Sequence, residues 1–235
     1  MGSVRLPGKV MLDIGGQSML ERVVHRVRRS SLVDQVVVAT PSTADNDVIA
    51  DVCDRLDVAV TRGSEDDVLD RFHQTAAEFG AETCVRVCAD SPFVDPGICD
   101  ACIALFHQAE PPLDYVSNKL TPTFPLGLDV EAFAASALDR AWAEAKEPFQ
   151  RSHVTVYMYQ NPESFRLGSL CDGVDRHEWR WTVDTMDDIE FARSVIDRLG
   201  RGNEYSWRDV VELVSREPAL SSLNAHVTPK PVREG

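Results

Sequence analysis

Short apolar runs alternate with amphipathic stretches along the first half of the chain. Three runs rich in β-branched residues are typical of buried parallel strands: 35–40, 58–60 and 83–88. Three stretches with apolar residues at helical spacing predict helices: 19–29, 45–56 and 68–79. Pro96 opens a fourth predicted helix. This alternation implies an α/β fold with a mainly parallel sheet covered on both faces, and function at the carboxyl ends of its strands.

The pattern changes after Pro112. Two extended segments, 115–118 and 128–133, flank a proline-containing loop, and we expect a small lobe over about residues 112–180. Helical patterns return at 138–146 and at 187–199, and Arg180 to Asp184 predicts a last strand that ends at Asp184. We expect one domain over residues 1–217 and a loosely ordered tail over 218–235, where Pro229 and Pro231 lie.

The segment from Gly2 to Val10 is a glycine-rich turn that carries one arginine, Arg5, and one lysine, Lys9. Glycines let backbone N–H groups approach an anion closely, and the two cations add charge where a triphosphate would lie. It is not a Walker A loop, because five residues separate its glycines and Val10, not Ser or Thr, follows the lysine. The sequence therefore predicts a phosphate-binding loop of another type.

Two aspartates, Asp90 and Asp184, each follow a predicted strand and begin a turn. Strand ends of a parallel sheet lie on one edge, so the pair is placed to hold Mg²⁺, which takes one or two carboxylates plus phosphate oxygens. Singly, each has a structural interpretation: Asp90 as a turn former before Ser91-Pro92, and Asp184 as a helix cap. Beside a cationic loop, metal binding is the interpretation we favour.

Composition narrows the class of protein. With 235 residues and 43% hydrophobic content the chain can bury a substantial core, and it has no run of about 18 apolar residues and no signal-like leader, so we expect a cytoplasmic protein. The net charge of −14 disfavours nucleic acid and acidic membranes as partners. The one CxxC, Cys99 to Cys102, has no second pair at zinc-finger spacing, which indicates reduced core thiols.

Six segments, in order along the chain, resemble the cytidylyltransferase family that includes the SpsF-type spore-coat polysaccharide proteins and, more distantly, the synthetases of CMP-activated sugar acids. They are residues 2–9, 62–71, 90–96, 127–131, 151–155 and 180–185. The resemblance implies a Rossmann-like three-layer nucleotide-diphospho-sugar transferase fold with a small acceptor and dimerisation lobe. It also implies that an acceptor oxygen attacks the α-phosphorus of CTP, with magnesium on the phosphates, and that pyrophosphate leaves.

The resemblance further implies roles for individual residues. The expected catalytic residues are Arg5, Lys9, Asp90 and Asp184. Arg5 and Lys9 are expected to contact the β- and γ-phosphates, and the two aspartates are expected to hold Mg²⁺. Further nucleotide contacts are expected from Gly2, Ser3, Gly8, Arg62, Ser64 and Asp67. Acceptor contacts are expected from Asn118, Asp129, Arg151 and His153, with a packing role as the alternative for His153. The implied partners are CTP, a small hydroxylated acceptor (a sugar acid, sugar phosphate or phosphonate) and a second copy in a homodimer.

One departure from the family concerns the first strand. Family members open with an apolar strand that ends in Gln-Ala-Arg before Met-Gly-Ser, and this sequence begins at that Met. About four buried apolar side chains at roughly 1.5–3 kcal/mol each would be lost with it. We therefore expect Met1 to be an internal methionine of a protein about ten residues longer, the length of a strand and its turn.

Two alternatives stay open at the level of sequence. A glycosyltransferase of the same fold usually presents an Asp-x-Asp metal motif, which Asp90-Ser91-Pro92 is not. A nucleotide-binding relative without turnover is favoured by the absent strand, whereas the intact catalytic set argues against it.

Overall fold

The computed structural model describes residues 2–228. Within that range six strands form: β1 Val37–Pro41, β2 Ala59–Gly63, β3 Thr83–Val87, β4 Tyr115–Ser117, β5 Val130–Ala134 and β6 Leu167–Ser169. Ten α-helices accompany them: α1 Met19–Val27, α2 Asp47–Arg55, α3 Val68–Glu78, α4 Pro96–Gln108, α5 Ala135–Glu144, α6 Pro148–Ser152, α7 Val156–Gln160, α8 Met186–Leu199, α9 Trp207–Arg216 and α10 Ala219–Ser222. The predicted strands and helices of the first half of the chain are confirmed.

The strands form two sheets. β1 pairs with β2 in parallel, and a four-stranded sheet has the order β3-β5-β4-β6. β5 runs antiparallel to both β3 and β4, whereas β4 and β6 are parallel. The α/β class is confirmed, but the sheet is more mixed than predicted. The connection from β4 to β5, residues 118–129, contains no helix, and these two strands pair antiparallel.

Strands β1 and β3 are less buried than their apolar sequences predict. Four of the five residues of β1, 37–39 and 41, are only half-buried, and so are all five residues of β3. Each strand ends its sheet, and a cavity of about 780 Å³ lies between them. We call this cavity the slot. It leaves one side of each strand without a neighbouring strand among the described residues.

Helix starts follow capping rules that the sequence carries. Ser18 and Glu21 form a capping box at α1, and Asp95 caps α4 with Pro96 in the first helical position. Thr185 and Asp188 form the capping box of α8, which begins directly after Asp184. The cap of α8 thus fixes where the chain turns beside the candidate site.

The predicted strand from Arg180 to Asp184 is wrong. The segment forms one isolated bridge, Leu126 to Arg180, and no ladder. Its backbone bonds go to single carbonyls instead: Trp181 N and Thr182 N donate to Leu126 O, and Val183 N donates to Asp90 O. The β-branched run is therefore buried and extended, but it crosses between two loops rather than joining a sheet.

The main core lies under α1, α4, α8 and α9, where Phe93, Trp181 and Phe191 are almost fully buried and meet edge to face. Cys99 and Cys102 are buried there as free thiols, as predicted. Residues 219–228 differ from the loose tail expected over 218–235. Leu220 and Asn224 are buried, and Asn224 donates to Arg180 O.

Residues 229–235, with the two tail prolines, lie outside the described residues. Within the described range, none of the helices is both long enough and apolar enough to span a bilayer.

Candidate active site

Lys9 lies at the centre of the candidate site. Gly8 before it has a φ of 69°, the left-handed region that glycine adopts without strain, and the chain then enters a short 3₁₀ turn, Lys9–Met11. The Lys9 ammonium donates to Asp90 Oδ2, Asp184 Oδ1 and Val183 O, each at 2.8 Å. The glycine-rich turn therefore directs its lysine between the two aspartates that the sequence paired.

The two aspartates reach this place by different routes. Asp90 follows β3 at its carboxyl end, while Asp184 ends the crossing segment 180–184. The two routes are tied together, because Val183 N and Thr182 Oγ1 donate to Asp90 O at 2.9 and 3.3 Å. Asp90 and Asp184 thus come together around Lys9, although the segment that ends at Asp184 is not a strand of the sheet.

Gly127 makes that convergence sterically possible. Its φ is 104°, and a Cβ on it would lie 2.4 Å from Thr182 N. Only glycine lets the two backbones come so close without strain. The segment 180–184 thus packs directly on the loop that precedes β5.

Asp184 is surrounded by three cations. Besides Lys9, its Oδ2 pairs with Arg5 at 2.7 Å and with Arg180 at 2.8 Å. Partial burial raises the pKa of Asp184, but hydrogen bonds from Lys9 and Arg180 and the charge of Arg5 outweigh it and lower the pKa to about 2. The carboxylate is therefore ionised at any physiological pH.

Arg180 is a residue of the candidate site that sequence reasoning missed. It also binds Asp188, whose side chain is fully buried, at 2.9 Å. Asp188 in turn accepts from the backbone N–H of Asp184 and from Asn224. The sequence carried one signal that could have pointed to Arg180. Arg180, Asp184 and Asp188 follow one another at intervals of four residues. Arg180 and Arg5 both contact Asp184 Oδ2, while Lys9 contacts Oδ1, and the buried Asp188 holds Arg180 in place.

The carboxylate pair fits a magnesium ion. The side chains of Asp90 and Asp184 are 28% and 20% exposed, so their oxygens are reachable while Lys9 and Arg5 balance their charge. No cluster of three or more His, Cys, Asp and Glu side chains suited to a metal lies within residues 2–228. Magnesium needs no such cage, because it keeps waters and takes substrate phosphates as ligands.

The loop after β2 lies beside the phosphate loop. A Cβ on Gly2 would be 2.6 Å from Glu65 Oε1, so the Glu65 side chain lies directly beside the backbone of Gly2. Ser3 closes the turn by accepting from Leu6 N at 3.2 Å. This adjacency puts the two predicted nucleotide-binding segments side by side.

At the end of β2 and within that loop, the predicted contact residues are engaged with the protein. The guanidinium of Arg62 binds Asp47 and Thr43 O, and Ser64 Oγ accepts from Asp67 N. Asp67 caps α3 and pairs with Arg151 at 2.6 Å. Asp67 was predicted to contact the nucleotide and Arg151 the acceptor. The two side chains form one ion pair that joins α3 to α6.

The other predicted acceptor residues lie around β4 and β5. Asn118 is buried, donates to Leu128 O and accepts from Val130 N, so it holds the backbone of the two strands together. Asp129 pairs with the exposed Lys119 at 3.4 Å. His153 is half-buried at the end of α6, and its carbonyl accepts from Thr155 N.

Sequence reasoning quoted Glu131 but gave it no role. Its buried carboxylate accepts from Tyr115 Oη and Thr155 Oγ1, each at 2.6 Å, and pairs closely with Arg86. Burial raises the pKa of Glu131, but the charges of Arg86 and Lys119 and these hydrogen bonds bring it below the ordinary value. The sequence signal for a role of Glu131 was a charged residue within an otherwise apolar strand. The network holds β3, β4 and α7 together beside the predicted acceptor region.

Comparison with known proteins places this site in a family. The cytidylyltransferase family model matches residues 1–197. The spore coat polysaccharide biosynthesis protein SpsF of Bacillus subtilis is 32% identical over 226 residues, 93% of this chain and 92% of that protein. The chain therefore belongs to the cytidylyltransferase family, and it is a nucleotidyltransferase.

Solved structures agree on the fold. A cytidylyltransferase from Leptospira borgpetersenii superposes with a TM-score of 0.91 at 28% identity, over 98% of this chain and 95% of that one. The CMP:2-keto-3-deoxy-manno-octonic acid synthetase complexed with CTP has a TM-score of 0.64 at 16% identity, over 85% and 95% of the two chains. The nucleotide-diphospho-sugar transferase fold implied by the sequence is confirmed.

Proposed function

We propose that the protein transfers CMP from CTP to a small hydroxylated acceptor, a sugar acid, sugar phosphate or phosphonate, in a magnesium-dependent reaction that releases pyrophosphate. The observation that carries this proposal is the contact of one ammonium, Lys9, with two carboxylates from distant parts of the chain, Asp90 and Asp184. Cations and carboxylates of this kind are what a metal-bound triphosphate requires.

In this proposal, Lys9 and Arg5 contact aspartates before the substrate binds and phosphate groups afterwards. Without substrate, both neutralise Asp184, and Lys9 also neutralises Asp90. When the triphosphate binds, the two side chains turn to its β- and γ-phosphate oxygens, where they stabilise the charge that develops on the leaving pyrophosphate. Their length and single-bond flexibility allow this exchange without movement of the backbone.

Asp90 and Asp184 would hold Mg²⁺, which when bound would supply positive charge that offsets the charge of the triphosphate. Arg180 stays with Asp184 in both states, because its other partner Asp188 is fully buried. The role of Arg180 is thus to keep the carboxylate aimed at the site while Lys9 and Arg5 leave it. Asp184 remains ionised throughout, because its pKa is lowered to about 2.

The acceptor would bind on the side of β4 and β5. Lys119 and Asp129 offer an exposed cation and a half-buried carboxylate there, suited to an acceptor with an acidic group and hydroxyls. In this proposal Asn118 and Arg151 act as positioning residues through Leu128, Val130 and Asp67. His153 stays a predicted acceptor contact, and the homodimer and the cytoplasmic location stay predictions.

The experiment is pyrophosphate release from CTP, ATP, GTP and UTP with magnesium and a panel of sugar acids, sugar phosphates and phosphonates. We expect release with CTP and one acceptor class, and its loss in Asp90→Ala and Asp184→Ala. Asp197→Ala, which removes an exposed aspartate that pairs with Arg201 four residues further on, is the matched control and should behave as wild type. Wild-type rates in both site variants would refute the proposed metal site.

A second candidate, a nucleotide-binding relative without turnover, is favoured by one observation, the open slot between β1 and β3. It predicts CTP binding in calorimetry with no pyrophosphate release for any acceptor. The family membership favours nucleotidyl transfer over the glycosyltransferase alternative.

A further inference from the structure

Residues 219–228, which we call the C-terminal segment, pack beside the candidate site. The segment begins with α10, whose Leu220 is buried in the main core, and α10 packs against α8 and α9. Two residues after the end of α10, Asn224 is buried as well. A buried amide is costly unless it forms hydrogen bonds, so the partners of Asn224 show what the segment holds in place.

The side-chain amide of Asn224 contacts two groups. Its Nδ2 donates to Arg180 O at 3.0 Å and to Asp188 Oδ1 at 2.9 Å. A carbonyl and an ionised carboxylate only accept hydrogen bonds, so only the NH₂ group of the amide fits between them. Asn224 therefore binds the backbone of Arg180 and, with the same nitrogen, the carboxylate that holds the Arg180 guanidinium.

Both oxygens of the fully buried Asp188 are shared among several donors. Oδ1 accepts from Arg180 Nε and from Asn224, and Oδ2 accepts from Arg180 Nη2 and from the backbone N–H of Asp184. Thr185 N and Oγ1 donate to Oδ2 as well. If a buried carboxylate loses one of its donors, it is left with an unsatisfied oxygen, and its remaining contacts rearrange. The position of Asp188 thus depends on Asn224.

Arg180 transmits that position to Asp184. Its Nη2 donates to Asp184 Oδ2 at 2.8 Å and to Asp188 Oδ2 at 3.0 Å. Arg180 Nη1 is buried without a hydrogen-bond partner among the described residues, so Nε and Nη2 alone fix the guanidinium. Because this group is planar and rigid, a shift of Asp188 against it also changes its contact with Asp184.

The C-terminal segment also reaches the phosphate loop. Arg5 Nη1 donates to Thr228 O at 3.3 Å, while Arg5 Nη2 pairs with Asp184 at 2.7 Å. His226 contacts Asp187, in the first turn of α8, at 2.9 Å. The segment is therefore connected to Asp184 from two sides, through Asp188 and Arg180 and through Arg5.

We propose that Asn224 is a positioning residue for the reaction: through Asp188 and Arg180 it holds the Asp184 carboxylate in the orientation that takes Mg²⁺. This role rests on the proposed function, because it takes Asp184 as a metal ligand. Outer hydrogen-bond partners orient metal ligands in this way in many proteins. The C-terminal segment, part of which the sequence predicted as a loose tail, then belongs to the structure that forms the site.

Calorimetric titration of CTP with and without magnesium tests the positioning role. Asn224→Leu keeps a side chain of similar size and removes both donated hydrogen bonds. We expect the increase in CTP affinity that magnesium causes to fall by about tenfold or more, while the affinity without magnesium stays within about twofold. Leu220→Ala is the matched control, because it removes core packing from the same segment and none of these hydrogen bonds. It should lower the melting temperature and leave the effect of magnesium unchanged.

A second measurement needs neither substrate nor metal. Urea unfolding of Asn224→Leu, Asp184→Asn and the double variant gives a double-mutant cycle. We expect the double variant to lose less stability than the sum of the two single losses, because both residues act through Arg180. Leu220→Ala combined with Asp184→Asn should be additive. If Asn224→Leu does not fold, the smaller change Asn224→Ala replaces it in both measurements, with the same expected results.

The outcomes separate this role from the proposed function. An unchanged effect of magnesium in Asn224→Leu, or an additive cycle, overturns the positioning role and leaves the proposed function standing. An equal loss of the magnesium effect in Leu220→Ala also overturns it, because packing of the segment then accounts for the result. Absence of magnesium-dependent CTP binding in the wild-type protein refutes the proposed function, and the role of Asn224 falls with it.

Discussion

Lys9 Nζ lies 2.8 Å from Asp184 Oδ1, across 175 residues of sequence. The same nitrogen lies 2.8 Å from Asp90, so a single side chain holds together two carboxylates that would otherwise repel each other. Partial burial lowers the pKa of Lys9, but the two carboxylates more than compensate and raise it above its ordinary value. The site is therefore charge-balanced before any substrate arrives.

Replacement of Lys9 by Met keeps the length of the side chain and removes its charge. Because Lys9 serves the phosphates in the proposed reaction, we expect kcat/KM for CTP to fall by about 10²-fold or more, as when one stabilising donor is removed. Steady-state pyrophosphate release measures this. Lys146→Met is the control, since Lys146 is an exposed lysine that only donates to Ala143 O. Equal kinetics in the two variants would contradict the role of Lys9.

Asp184 makes stability depend on pH in a defined window. Its pKa is about 2 in the folded protein, below the ordinary value of 3.8, so its ionised form stabilises the fold above about pH 4, and this contribution is lost as the pH falls towards 2. The shift corresponds to about 2 kcal/mol. Urea unfolding between pH 2 and 6 should show a steeper loss of stability in wild type than in Asp184→Asn. Parallel profiles would mean that Lys9, Arg5 and Arg180 do not hold this carboxylate.

Gly127→Ala should displace the segment that carries Asp184. The new Cβ would lie 2.4 Å from Thr182 N at a φ of 104°, so both a clash and backbone strain of about 1–3 kcal/mol are expected. Thermal unfolding and pyrophosphate release measure the two effects, and both should fall. Gly173→Ala is the control, because nothing lies within 4 Å of the position of its Cβ and its φ is not positive. A Gly127→Ala variant as stable and active as Gly173→Ala would refute the close approach.

Glu131→Gln should destabilise the protein by about 3–5 kcal/mol, because it leaves the partly buried charge of Arg86 without its partner. Denaturant unfolding gives the free energy of unfolding. In the double variant Arg86→Met with Glu131→Gln, no charge is left unpaired, and we expect stability to recover in part. A double variant less stable than Glu131→Gln alone would contradict this account of the network.

The parts of the fold that depend on local pattern could be predicted from the sequence. Helices such as α1 and α3 carry their apolar spacing and their caps within the segment itself. The segment 180–184 could not be assigned correctly, because its partners, Leu126 O and Asp90 O, lie more than 50 residues away and only the tertiary structure shows that they are single carbonyls.

The same distinction applies to the site. Lys9, Asp90 and Asp184 were recognisable because the cations of a glycine-rich turn and two aspartates complement each other chemically, although each aspartate alone also has a structural interpretation. Arg62, Ser64, Asp67 and Arg151 looked equally exposed in sequence, but their partners within the protein, Asp47 and each other, are visible only in three dimensions. Arg180 and Glu131 were missed because their importance lies in buried contacts with other polar groups.

Calorimetric titration of CTP with magnesium into the protein tests the central claim most directly. The account predicts that CTP binds about tenfold or more tightly than ATP, GTP or UTP, and that Asp184→Ala abolishes the magnesium-dependent part of the affinity. Absence of CTP binding, or magnesium-dependent binding that Asp184→Ala leaves unchanged, would contradict it.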